Sequence, residues 1–248
     1  MNEKRGTGIL YGIGAGPGDP ELITMKGYRI LQETGVIAFP EAKKGGGSYA
    51  GNMAESLVDK NKKTFVPLTF PMTKDPARLN EEWEMAVATL REPLEAGKNV
   101  AFVSEGDPLF YSTFIHLMEK MRKWNPDLKI EIVPGISAVH GASASLGWGL
   151  VNADQKFAVI PATENMREMA DELDRHDVVV FYKVAKVIQP VIQLLKSKNL
   201  MQCAAAVSKT TSPDEKIYLN LNDIPIEGLP YLSLLIVRKT ENTEILIK

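Results

Sequence analysis

Three glycine- and proline-rich turns constrain this chain most. They read Gly-Ile-Gly-Ala-Gly-Pro-Gly-Asp-Pro at residues 12–20, Ser-Glu-Gly-Asp-Pro at 104–108 and Val-Pro-Gly-Ile-Ser at 133–137. Each follows an apolar, strand-like run and opens a helix-like stretch. In a parallel sheet the turns that leave the strands share one edge, and open α/β sheets bind ligands at that edge. The three turns therefore predict one small-molecule pocket rather than three unrelated loops.

The rest of the chain supplies a sheet for them. Apolar runs at 8–13, 35–40, 63–68, 99–103 and 129–133 alternate with helical patterns at 20–32, 50–59, 75–95 and 108–123. Pro93 marks a point of interruption in the third of these helices. Such alternation predicts βαβ units and a mostly parallel sheet. A helix-like stretch at 137–146 then runs into Gly147, Trp148 and Gly149, and the pattern changes. Strand-like runs follow at 157–161, 178–182, 203–208, 215–221 and 231–238, with helices at 164–175 and 185–198. The last strands are joined by short turns, which predicts a mixed sheet with an antiparallel edge. The expectation is two α/β domains, residues 1–134 with a mostly parallel sheet and residues 135–248 with a mixed one.

Composition excludes several classes. The 248 residues are 44% hydrophobic and 24% charged, with a formal net charge of −2. That balance gives no general reason to bind nucleic acid or an acidic membrane surface. No apolar run approaches the ~20 residues of a membrane helix, and no signal-peptide pattern precedes the first strand. The single cysteine, Cys203, rules out an internal disulfide framework and is expected to be a small buried residue. A cytoplasmic protein without a metal centre is the expectation.

The first turn invites comparison with a dinucleotide site, whose fingerprint is G-x-G-x-x-G. Counted from Gly12, the sixth position is Pro17; counted from Gly14, it is Asp19. The spacing fails in both registers, although Glu41 stands at a plausible distance for a ribose-binding acid. Asp19–Pro20 and Asp107–Pro108 also read as N-cap and first helical residue, so carboxylates would already take the N–H groups a pyrophosphate needs. The glycines would instead let backbone pass close to a flat or uncharged ligand. S-adenosylmethionine, an adenosine without phosphate that carries a sulfonium and an amino acid, suits such a pocket better.

Taken together, these residues resemble the tetrapyrrole methylase family. The marks are Gly-Ala-Gly-Pro-Gly-Asp-Pro at 14–20 followed by Leu-Ile-Thr-Met-Lys at 22–26, then Gly106–Asp107–Pro108, then Val-Pro-Gly-Ile-Ser-Ala at 133–138. Within the family the chain is most similar to the subgroup acting at C-20 of precorrin-2 or cobalt-factor II, through Phe-Pro-Met-Thr at 70–73 and Tyr-Ser-Thr-Phe at 111–114. The resemblance implies S-adenosylmethionine-dependent C-methylation in cobalamin biosynthesis, a cofactor cleft between two α/β domains, and a homodimer. Carried over by position, cofactor contacts fall at Pro17, Glu105, Gly106, Asp107, Phe110, Ser137 and Ala138. In the second domain they fall at Tyr182, Lys183, Ala204 and Leu232; Lys183 stands where the family often has a hydrophobic residue. Substrate contacts are expected at Gly16, Lys43, Lys44, Met72, Tyr111, Ser112 and Thr113.

Methyl transfer from a sulfonium needs positioning more than a nucleophile. A proton must afterwards leave the ring, so a base has a role. Asp107, Tyr111, His116 and His140 are the candidates, with Tyr111 placed one helical turn from Asp107 on the same side; each also has a plain structural reading as cap, packing or surface. His176, at a helix end, reads as a solvated terminal residue. The many carboxylates of a tetrapyrrole call for local positive charge. Lys43 and Lys44, followed by Gly45–Gly47, read as a mobile basic flap or a solvated loop; Lys74 with Arg78, and Lys183 with Lys186, are further candidates. Three other readings stay open: a methylase of this family acting on another ring position or on a modified protein histidine, a nicotinamide-dependent reductase using the first turn, and a tetrapyrrole carrier.

Overall fold

The computed structural model describes residues 6–71, 73 and 75–239. The expected substrate contact Met72 and the basic candidate Lys74 lie outside the described residues. The chain divides into two compact units, Met1–Ser137 and Ala138–Lys248.

The first unit holds five parallel strands in the order β3-β2-β4-β1-β5. They are β1 (Leu10–Gly14), β2 (Val36–Glu41), β3 (Thr64–Thr69), β4 (Val100–Ser104) and β5 (Ile130–Val133). Alternation along each strand feeds two cores. Leu10, Val100 and Phe102 pack beneath α3 (Pro76–Glu95) and α4 (Thr113–Trp124), through Leu90, Leu94, Phe114 and Leu117. Ile13, Ala101 and Val103 pack on the other face against α1 (Met25–Glu33) and α2 (Tyr49–Leu57), through Ile30, Leu31, Ala50 and Met53. Helices on both faces are what a fully parallel sheet requires. α3 continues through Pro93 and ends two residues later at Glu95, so the proline removes one N–H from the helix ladder without ending the helix at once.

Two helix starts differ from the sequence expectation. Asp19 accepts the Glu21 N–H and caps only a short 3-10 turn at Pro20–Leu22. The α-helix begins afresh at Met25, where Thr24 Oγ1 accepts the Gly27 N–H. Likewise α4 begins at Thr113 with Ser112 as its cap, five residues beyond Pro108. Serine caps as well as aspartate and threonine somewhat less well, and both Asp–Pro pairs lie further upstream in the turns.

The second unit is a five-stranded mixed sheet, order β6-β7-β10-β8-β9. Its strands are β6 (Phe157–Pro161), β7 (Val178–Tyr182), β8 (Ala204–Ser208), β9 (Lys216–Tyr218) and β10 (Ser233–Arg238). β6 and β7 are parallel, and β10 runs antiparallel to both β7 and β8. Antiparallel pairing thus reaches the centre of the sheet, not only its edge. β10 carries Leu234–Val237 buried on both faces, and a strand apolar on both sides belongs in the middle. Leu235 and Val237 face α6 (Met166–Arg175) and α7 (Ile188–Ser197); Leu234 and Ile236 pack with α5 (Ala138–Leu146) and Trp148. Cys203 is partly exposed just before β8, so it is not the buried residue expected. No helix of the described residues is long and apolar enough to cross a membrane.

Candidate functional site

All five strands of the first unit end on the same edge, at Gly14, Glu41, Thr69, Ser104 and Val133. The three turns meet there and are stitched to one another. Gly106 donates its N–H to Gly16 O at 2.8 Å, and Gly16 returns its own N–H to Gly106 O at 3.4 Å. Asp107 joins the second turn to the third: Oδ1 accepts the Leu109 N–H at 2.8 Å and Oδ2 the Gly135 N–H at 2.9 Å. A Cβ built on Gly135 would sit 2.2 Å from Gly106 O, and one on Gly14 would sit 2.6 Å from the Gly135 Cα. The close approach that requires glycine is thus turn against turn, not backbone against a ligand as the sequence alone suggests.

Three helix starts on this edge are already capped. Thr24 and Ser112 cap α1 and α4. At α2, Ser48 Oγ accepts the Gly51 N–H at 3.0 Å, and the Glu105 carboxylate accepts from the Ala50 N–H. Such ends have little to offer a phosphate. Glu105 lies partly buried between Ser104 and Gly106, and burial pushes its carboxyl up from 4.5 to about 7 against the opposing pull of the Ala50 N–H. A desolvated carboxylate with no ion-pair partner among the described residues suits a cationic ligand.

Aromatic side chains crown the second turn. Phe110 and Tyr111 meet edge to face with centroids 5.0 Å apart, and Leu109, Phe110, Tyr111 and Ile136 are all exposed apolar residues on this edge. Tyr111 takes φ 54°, a left-handed conformation that strains a bulky residue. It lies before α4 begins, so the expected helical spacing from Asp107 does not exist. Ser112 Oγ accepts the Phe114 N–H and donates to Ser104 Oγ at 3.1 Å, tying this turn to β4; Thr113 is the first residue of α4. Gly16, Pro17 and Ser137 are buried within the turns. His116 is exposed on α4, 3.9 Å from Glu119. His140 is exposed on α5, in the second unit.

Residues 43–48 are held rather than loose. Glu41 is only 6% exposed; its Oε2 accepts the Gly45 N–H at 3.0 Å and its Oε1 the Thr69 hydroxyl at 2.9 Å. Lys43 and Lys44 are exposed on the turn so formed, and neither ammonium has an ion-pair partner among the described residues. In the sequence Glu41 reads only as a ribose-binding acid, and Thr69 carries no evident role. Their placement at the ends of paired strands, Glu41 opposite Thr69, is the signal that could have found them.

In the second unit, Tyr182 ends β7 and pairs with Leu234, while Ser208 ends β8 and pairs with Ser233. Lys183 follows at φ 56°, and Leu232 O accepts the Lys209 N–H at 2.7 Å. Tyr182, Lys183 and Leu232 therefore share one edge. Ala204 does not: it begins β8, pairs with Val237 and is 2% exposed within the core beneath α6 and α7. Its assignment as a cofactor contact is corrected, because it lies at the opposite end of the strand. His176 caps the end of α6, with Nδ1 3.1 Å from Glu172 O. Among the described residues, no cluster of three His, Cys, Asp or Glu side chains is placed to hold a metal ion.

A parallel sheet with helices on both faces, whose edge is stitched from three glycine turns beneath an exposed aromatic rim, defines an α/β protein with a candidate ligand site at the carboxyl ends of its strands. Residues 9–225 match the profile of the tetrapyrrole (corrin/porphyrin) methylases, and the chain belongs to that family. It is 32% identical over 235 residues to the cobalt-precorrin-2 C(20)-methyltransferase of Salmonella typhimurium (strain LT2), covering 94% of this chain and 97% of that one. It is 30% identical over 244 residues to the precorrin-2 C(20)-methyltransferase of a Sinorhizobium species, covering 94% and 96%. In fold it matches the crystal structure of a cobalt precorrin-4 methyltransferase, CbiF, with a TM-score of 0.68 at 23% identity over 93% of this chain and 94% of that one.

Proposed function

We propose that this methylase transfers a methyl group from S-adenosylmethionine to C-20 of precorrin-2 or its cobalt-loaded counterpart. The observation that carries the reading is the near full-length likeness to the Salmonella C-20 enzyme. The first-unit edge fits the methyl donor: capped helix starts offer it no phosphate site, and the Glu105 carboxyl offers a cation an uncompensated partner. When bound, the donor supplies a methyl already activated by its sulfonium.

What the chain itself contributes is placement. On this reading Pro17, Glu105, Gly106, Phe110 and Ser137 are the donor contacts of the first unit, and Ala138, Tyr182, Lys183 and Leu232 are the donor contacts that the resemblance implies for the second. Asp107 spends both carboxylate oxygens on backbone N–H groups, and its part is to keep the second and third turns in register. Gly16, Tyr111, Ser112 and Thr113 take the ring side, with Lys43 and Lys44 for the ring's carboxylates. The meso carbon at C-20 loses its proton to solvent water once the new bond has formed; Tyr111, exposed on the rim, is the side chain we place beside that carbon. The same reading takes the enzyme to be a cytoplasmic homodimer.

The test is a turnover assay with methyl-labelled donor, offering the metal-free and the cobalt-loaded ring in parallel. One added methyl on at least one ring, mapped to C-20, supports the proposal. Label on neither ring, or on a protein histidine instead, overturns it. Light scattering on the eluted protein checks the dimer.

A further inference from the structure

The two lysines that the proposed function gives to the substrate stand on a turn that the protein fastens at several points. Gly46 donates to Lys43 O at 2.8 Å and closes the turn on itself. Gly45 and Gly47 take φ 70° and 82°, conformations that glycine adopts without strain. Downstream, Ser48 Oγ donates to Pro40 O at 2.6 Å while capping α2. Beneath the turn lies Glu41, buried, with one oxygen on the Gly45 N–H and the other on the Thr69 hydroxyl. The Glu41 backbone adds a further tie, since its carbonyl accepts the Phe70 N–H at 2.8 Å. A buried polar group is costly unless bonded, and both Glu41 carboxylate oxygens are bonded, one of them to the turn that carries the two lysines.

We infer that Glu41 is a positioning residue: through Gly45 and Thr69 it fixes the turn that presents Lys43 and Lys44 to the carboxylates of the tetrapyrrole. The inference rests on the proposed function, which supplies the polycarboxylate. Its physical basis is pre-organisation. Exposed lysine–carboxylate pairs are individually weak, and ordering a loose loop at the moment of binding costs each residue's backbone freedom. A turn already ordered by Glu41 removes that cost from the binding step. Thr69 makes the device two-sided, because it links the turn to the strand end that leads into residues 70–73.

The experiment compares Glu41→Ala, Glu41→Gln, Thr69→Val and the double variant Lys43→Ala/Lys44→Ala in steady state, with donor affinity measured separately by calorimetry using S-adenosylhomocysteine. Glu41→Ala should raise the KM for the tetrapyrrole about tenfold while kcat stays within about twofold, the signature of lost ground-state binding. It should also flatten the rise of KM with ionic strength, because lysines that wander no longer act together. Glutamine keeps one oxygen for Gly45 and an N–H for the threonine hydroxyl, so Glu41→Gln should restore both readouts. Thr69→Val, with one anchor left, should shift KM the same way by a smaller factor. If Lys43→Ala/Lys44→Ala raises KM and Glu41→Ala does not, the positioning role is overturned and the lysine reading stands. If the double lysine variant leaves KM unchanged, the lysine reading itself fails. Equal loss of kcat and donor affinity in Glu41→Ala, unrescued by glutamine, would show a purely structural residue.

Discussion

Glu105→Gln should make the first unit more stable above neutral pH, and the size of the gain follows from the site. The Glu105 carboxyl is displaced from 4.5 to about 7 by burial, with only the Ala50 N–H pulling the other way. A carboxyl whose folded value is raised holds its proton more tightly in the folded chain. Below about pH 4.5 both states are protonated and no penalty exists. Between about 4.5 and 7 the unfolded chain ionises first, so stability falls as pH rises; above 7 the full penalty is present. At ~1.4 kcal/mol per pH unit the displacement sets a ceiling of about 3 kcal/mol. Glutamine cannot ionise, yet its oxygen still accepts the Ala50 N–H. The assay is urea unfolding followed by tryptophan fluorescence in a Trp148→Phe background. Trp83 and Trp124, both in the first unit, are then the reporters. The stability difference between the Glu105→Gln variant and its parent should be near zero at pH 4 and grow to its plateau by pH 8. Parallel pH profiles for the two proteins would refute the desolvation argument.

Three other substitutions probe the stitched edge. Gly135→Ala would drive a methyl into Gly106 O, 2.2 Å away; a backbone atom cannot step aside, so we expect a loss of about 3 kcal/mol or more with S-adenosylhomocysteine binding abolished, and a fully stable variant would contradict the geometry. Asp107→Ala leaves the Leu109 and Gly135 N–H groups without their acceptor; water can replace it at the exposed Leu109, so the part-buried Gly135 N–H should carry most of a loss of about 1–3 kcal/mol, read by thermal unfolding, and unchanged stability would return Asp107 to a purely ligand-binding role. Tyr111→Gly relieves a left-handed φ of 54° and should offset much of the aromatic loss in stability, to within about 1 kcal/mol, while kcat for ring methylation falls; an unchanged kcat would remove Tyr111 from the rim chemistry.

The sequence carried the layers of the fold because hydrophobic alternation alone determines them. Leu10 and Ile13 had to face opposite cores, and the strand runs at 157–161 and 178–182 stand in the structure with the same ends. The family and its chemistry were legible in the three turns. What escaped was set by competition between similar local signals. Asp19 and Asp107 look like helix caps, yet Thr24 and Ser112 a few residues on are able caps too, and only the tertiary ties of Asp107 to Gly135 decide between them. The glycines advertised close approach without saying to what. The run Lys-Lys-Gly-Gly-Gly at 43–47 reads as a mobile loop because nothing local reveals that Glu41 and Thr69 lie beneath it. Ala204 was misassigned since a one-dimensional match gives a position along β8 but not which end of the strand reaches the edge.

The stitching of the three turns also says when the site comes into being. Gly16 and Gly106 lie far apart along the chain, yet their mutual hydrogen bonds can close only after β4 has docked beside β1. The tie from Asp107 to Gly135 waits in turn for β5 on the other side of β1. Contacts of such large sequence separation form slowly, after local helices and hairpins. The edge is therefore complete only when residues as far apart as 16, 106 and 135 have come together. A ligand that holds this edge would act as a clasp on the finished molecule, slowing its unfolding while leaving its rate of folding almost untouched.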